Sequence, residues 1–197
     1  MAVWDKGFNF RATSGFVTDG TDETYVIGET YPITRNGVTF GWETGPTGVA
    51  TRDRNSGNDR RLAGINFNDA VTTNEDFRVD LPATGDFLIR LAMGDAANPQ
   101  NPKIVLKDDT TVLDTLQTSV GANEFYDATG VLRTQANWPG QNVAITRTFG
   151  STILRGVIGD GVNFATIAHL FLSQIKKATL SIGAGLRPRH TAPGLAR

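Results

Sequence analysis

Trp42, Arg52, Asp53 and Arg54 bring an indole ring, two guanidinium forks and a carboxylate into a short stretch of chain. An aromatic face covers the apolar side of a pyranose ring and planar polar groups grip its hydroxyls, so these residue types fit carbohydrate recognition. Tyr31, Asn137 and Trp138 supply the same types from other segments. Trp138-Pro139-Gly140 reads as a loop tip, where an exposed indole is costly unless it meets a ligand or partner. Each residue also has a plainer reading. Trp42 beside Gly41 fits a core aromatic, and Asp53 with Arg54 fits a surface ion pair worth little.

Groups for bond-breaking chemistry are harder to place. There are 2 histidines. His169 lies in an apolar run between Ala168 and Leu170, the setting of a structural residue more than of a proton shuttle, and His190 stands between Arg189 and Thr191. The chain has no Gly-x-Ser-x-Gly elbow, His-Glu-x-x-His pair or Gly-x-x-x-x-Gly-Lys loop. With no cysteine there is no disulfide, thiolate nucleophile or zinc-thiolate site. The expectation is a protein that is not an enzyme. Paired carboxylates for glycoside cleavage stay open, because sequence does not give their separation in space. Calcium is the one candidate cofactor: Asp19-Gly-Thr-Asp-Glu23, and Asp108 and Asp109 with Asp114, offer oxygen ligands without the spacing of an EF-hand loop. Turn formation explains both clusters as well.

The elements that would position these groups are short strands. Phe8 and Phe10 alternate with Asn9 and Arg11; Phe77, Val79 and Leu81 with Arg78 and Asp80; Phe87, Ile89, Leu91 and Met93 with Leu88, Arg90 and Ala92. Period two marks half-buried strands. Pro82-Ala-Thr-Gly85 between the last two runs predicts an antiparallel hairpin over 76–93. Further strands are expected at 38–42, 62–67, 103–107, 143–149 and 153–158, the spacing of a sandwich or jelly roll. Residues 164–175 fit both a helical stripe and a strand face, and the Gly159-Asp-Gly161 turn before them favours the strand.

Charge divides the 197 residues unevenly. Lys176, Lys177, Arg187, Arg189 and Arg197 face no acid in the last 22 residues, which leaves 14 basic against 20 acidic residues in 1–175, a net −6. The expected layout is a β-sandwich over 1–175 and a basic C-terminal tail or arm over 176–197. That tail is a candidate contact for an acidic surface on a neighbouring copy or another partner. An acidic body repels phosphate, which argues against nucleic acid. No run approaches the ~20 apolar residues of a membrane-spanning helix. Met1-Ala-Val-Trp-Asp-Lys lacks the features of a secretory signal.

In order along the chain, Gly7-Phe-Asn-Phe10, Thr39-Phe-Gly-Trp42, Arg52-Asp-Arg54, Phe77-Arg-Val-Asp-Leu-Pro82, Gly85-Asp-Phe87 and Leu91-Ala-Met-Gly-Asp95 resemble the galactose-binding-like accessory domains of pectin- and agar-degrading enzymes. Malectin-like sugar-binding domains are more distant relatives. The resemblance covers residues 6 to 175. It implies an all-β, antiparallel jelly-roll sandwich with its first and last strands close together, and carbohydrate binding as the activity. Fold alone does not settle function. With no catalytic domain attached and a basic tail instead, the chain also resembles a bacteriophage virion component: a capsid decoration, head-spike or tail protein, present in many copies. Its expected partners are other virion or assembly proteins through the tail, and host or environmental polysaccharide. The expected location is the virion, with a secreted carbohydrate-binding module as the alternative.

Overall fold

The computed structural model describes residues 4–13, 23–43, 49–54, 59–68, 74–101, 103–117, 119–138, 143–159 and 165–176. The strands in chain order are β1 (Asp5–Phe10), β2 (Glu23–Val26), β3 (Ile33–Arg35), β4 (Val38–Trp42), β5 (Val49–Asp53), β6 (Gly64–Asn68), β7 (Glu75–Asp80) and β8 (Gly85–Asp95). They continue as β9 (Lys103–Asp108), β10 (Thr111–Gln117), β11 (Glu124–Asp127), β12 (Leu132–Thr134), β13 (Ile145–Phe149), β14 (Ile153–Ile158), β15 (Thr166–Ile167) and β16 (His169–Ile175). Short 3-10 turns occupy Arg60–Leu62 and Gln135–Asn137. A 7-stranded sheet runs β12-β11-β8-β16-β1-β2, with β13 also on β8; a 6-stranded sheet runs β10-β9-β14-β7-β4-β3; a 3-stranded sheet runs β15-β6-β5. The expected all-β antiparallel sandwich is met, with β1 against β16 as its first and last strands. Only the β1–β2 ladder among the named strand pairs is parallel.

Alternation builds the core. Phe77 and Val79 point inward from β7 while Asp76, Arg78 and Asp80 stay at the surface; Phe87, Ile89, Leu91 and Met93 do the same from β8. Between the two large sheets the rings meet edge to face, Phe10 and Phe77 at 4.9 Å and Phe8 and Phe40 at 5.3 Å between centroids, and within the 6-stranded sheet Trp42 tilts against its cross-strand neighbour Phe77 at 5.2 Å. Each such pair adds about 0.5–1.5 kcal/mol to the burial of the rings.

The hairpin expected over 76–93 is corrected. Both strands exist, but β7 pairs β4 and β14 in one sheet while β8 pairs β11, β13 and β16 in the other. Leu81 is buried, and its N–H donates to the Thr152 carbonyl at 2.8 Å, so the chain still follows the smaller sheet there. Pro82 then has no N–H for a ladder, and the exposed residues 82–84 carry the chain to the opposite sheet, where Gly85, at φ +132°, starts β8. The two apolar faces therefore oppose each other across the core. Residues 166–175 form β15 and β16, so the strand alternative holds for the described part of 164–175.

The 3-stranded sheet reaches over the outer face of the 7-stranded one. Ala92 and Phe125 point away from the main core, and with Leu62, Ile65 and Ala168 they form a second apolar cluster against which Phe67, Ala96 and Trp138 pack. At Gly64 the approach is close: a Cβ there would stand 2.5 Å from the Phe10 carbonyl oxygen. Only a hydrogen fits at this crossing of β6 over β1.

Candidate functional site

Period two places Arg52 on one face of β5 and Asp53 on the other, and Arg54, just past the strand, returns to the Arg52 side. That side lines a cavity of about 190 Å³ together with Ile65 and Phe67 of β6, Thr166 of β15, Asp95 at the end of β8, Asn98 and Gln100. Arg54 grips Asp95 with two N–H donors, Nε to Oδ1 at 2.7 Å and Nη2 to Oδ2. The Arg54 backbone N–H is held by the Ala63 carbonyl at 2.6 Å. Asp95 is 1 % exposed and also accepts from the Ala97 N–H at 2.9 Å and from Asn98 Nδ2 at 3.4 Å. Burial pushes its carboxyl up, but the Arg54 fork and the Ala97 N–H outweigh that and hold it below the usual carboxylate range. The same pairing raises Arg54.

The rest of the rim is braced by backbone. Gln100 exchanges both backbone hydrogen bonds with Val120, at 2.9 and 2.8 Å, which fixes the segment that presents its side chain. Thr166 Oγ1 accepts from the Gly94 N–H at 3.1 Å. Arg52 is exposed and lays its guanidinium over the Phe67 ring, 4.9 Å from the centroid.

Of the residues expected at a sugar site, Arg52 and Arg54 are brought together here. Trp138 is half-buried and packs edge-on against Phe125, 6.2 Å between centroids, on the second cluster that also holds Ile65 and Phe67. It is not among the lining residues. Trp42 is corrected: it is 0 % exposed in the main core and offers no ring face to a ligand. Inward alternation on β4 puts it there with Val38 and Phe40. Asp53 is corrected as well. From the far face of β5 it accepts from the Ala12 N–H at 2.9 Å, Thr13 Oγ1 at 2.5 Å and Arg11 Nη2 at 3.3 Å, which ties down the end of β1. Tyr31 stands on the 6-stranded sheet, its hydroxyl donating to Asp80 at 2.9 Å and Arg78 over its ring at 4.3 Å.

Several expectations fall elsewhere. Lys176 is exposed just beyond β16, while Lys177, Arg187, Arg189 and Arg197 lie outside the described residues, as do the Asn137 side chain and Asp19 to Asp22. His169 is buried in β16. Asp108 accepts from the Gly150 and Ser151 N–H groups at 2.7 and 3.0 Å, Asp114 pairs with Arg147, and Asp109 meets Arg155 at 3.3 Å. These carboxylates serve protein donors, and no group of three or more metal-ligating side chains converges among the described residues.

Sequence reasoning missed Asp95, Phe67, Asn98, Gln100 and Thr166. Asp95 had a signal: it closes an alternating run whose inward residues are all apolar, and a carboxylate at 1 % exposure needs a cation. Its partner is 41 positions away and has no local mark.

No family model matches the sequence, and no curated protein does. Among solved structures, the chain is similar to a family 35 carbohydrate binding module from Clostridium thermocellum, at 7% identity and TM-score 0.39, over 71% of this chain and 93% of that one. It is similar to the module TmCBM61, solved with β-1,4-galactotriose, at 10% identity and TM-score 0.33, over 75% and 92%. The enzymatically active domain of tailspike protein 4 of bacteriophage CBA120 aligns at 13% identity and TM-score 0.28, over 80% of this chain and 23% of that one. At this level the similarities are of layout, and the reading of the pocket rests on its own geometry.

Proposed function

We propose that the protein is a non-enzymatic recognition module whose pocket on the 3-stranded sheet binds a saccharide. The observation that carries this is the lining itself: a locked Arg54–Asp95 fork, with Asn98 and Gln100, around the apolar surface of Phe67 and Ile65. Such a set pairs hydroxyls with planar polar groups and covers the apolar face of a sugar ring. Asp95 is the one carboxylate among these lining residues, and Arg54 keeps it ionised. Cleavage by two carboxylates would need a second one within ~5–10 Å and a proton on one of the pair. On a glycan array the protein is expected to bind, and Asn98→Ala with Gln100→Ala weakens the best ligand about tenfold or more, as loss of two hydrogen bonds requires. An array without binding, or undiminished binding by the double variant, refutes the assignment.

A second reading concerns what carries the module. Charge segregation favours docking of the basic segment on an acidic partner in a larger assembly, of which a bacteriophage particle is the leading instance. Deleting 177–197 is expected to abolish incorporation and leave the melting temperature of the sandwich unchanged. Unaltered incorporation overturns this reading.

A further inference from the structure

The two arginines of the pocket are not equivalent. Arg54 is neutralised by Asp95 through two donors, and its fork is filled. Arg52 has the Phe67 ring as its partner and no carboxylate among the described residues. Among the described lining residues, Arg52 is thus a positive charge without a carboxylate partner, in a body whose residues 1–175 sum to −6. A guanidinium held over an aromatic ring keeps N–H donors for a ligand, and its planar fork matches the two oxygens of a carboxylate or a sulfate ester.

We infer that the saccharide this pocket takes is acidic, and that Arg52, not Arg54, receives its charge. The inference rests on the saccharide reading and adds the ligand's charge to it. Phe67 and Ile65 form the apolar wall of the site, Asn98 and Gln100 meet hydroxyls, and the acid group lies against Arg52. Because Arg52 is exposed, the charge contribution weakens as salt rises.

The test is calorimetric titration with oligosaccharides matched in every position except C6, which bears a carboxylate, a sulfate ester or a free hydroxymethyl. The acidic ligands are expected to bind about tenfold tighter or more than the neutral one, as a charge-assisted pair gives. Arg52→Gln removes that preference, so that acidic and neutral ligands bind it alike, and leaves the melting temperature in place. Carboxylate against sulfate identifies the group. Equal binding of all three by the native protein overturns the inference and leaves the saccharide reading standing. A preference that survives Arg52→Gln also overturns it. No binding of any ligand removes both readings together.

Discussion

Trp42→Ala lowers the unfolding free energy by about 3–5 kcal/mol, the cost of emptying a large aromatic site in a packed core. Trp42 is fully enclosed, with Phe10 at 6.1 Å and Phe77 at 5.2 Å between centroids, so a shrunken side chain leaves a void that neither sheet closes without moving. Denaturant unfolding measures the loss. In protein that remains folded, pocket affinity is unchanged, because the indole lies in the main core and lines no part of the cavity. Full stability with lost binding would mean that Trp42 touches ligand, contrary to its placement here.

The second large effect belongs to Asp95. Removing one partner of a buried pair strands the other's charge, so Asp95→Ala costs about 3–5 kcal/mol. Arg54, 16 % exposed in the native pair, is left with its fork empty, and binding falls along with stability. Acid reaches the same end. The folded carboxyl lies below its unfolded value, so its contribution is complete above about pH 4 and is lost as pH falls through the folded value. Stability measured against pH should therefore show a gap between native protein and Asp95→Asn that is constant near neutrality and narrows below about pH 4. A gap that persists unchanged at pH 2 would show that the carboxylate's charge is not what holds the pair.

Faces were legible in the sequence and neighbours were not. β4 over Val38–Trp42 and β14 over Ile153–Ile158 coincide with their expected spans, because period two reports which side of a strand is dry. The same signal says nothing about which strand lies alongside, so β7 and β8 looked like a hairpin while each pairs within a different sheet. β10 escaped notice. It is an edge strand with a half-exposed pattern, and a register shift between Val112 and Asp114 breaks its alternation. At the site, Arg52 and Arg54 stood out because their chemistry is local. Phe67, Asp95 and Thr166 did not, since each becomes a pocket residue only when β5, β6, β8 and β15 are brought together.

The β1–β16 ladder also determines how the protein can be held. Asp5 pairs with Ser173 and Ile175 with Asp86, so whatever precedes β1 or follows β16 leaves from one pole of the 7-stranded sheet. The pocket belongs to the opposite pole: from Asp86 to Asp95 β8 climbs about 30 Å, at about 3.4 Å per residue. The Arg52 rim therefore lies at the far end of the 7-stranded sheet from the points where the chain enters β1 and leaves β16.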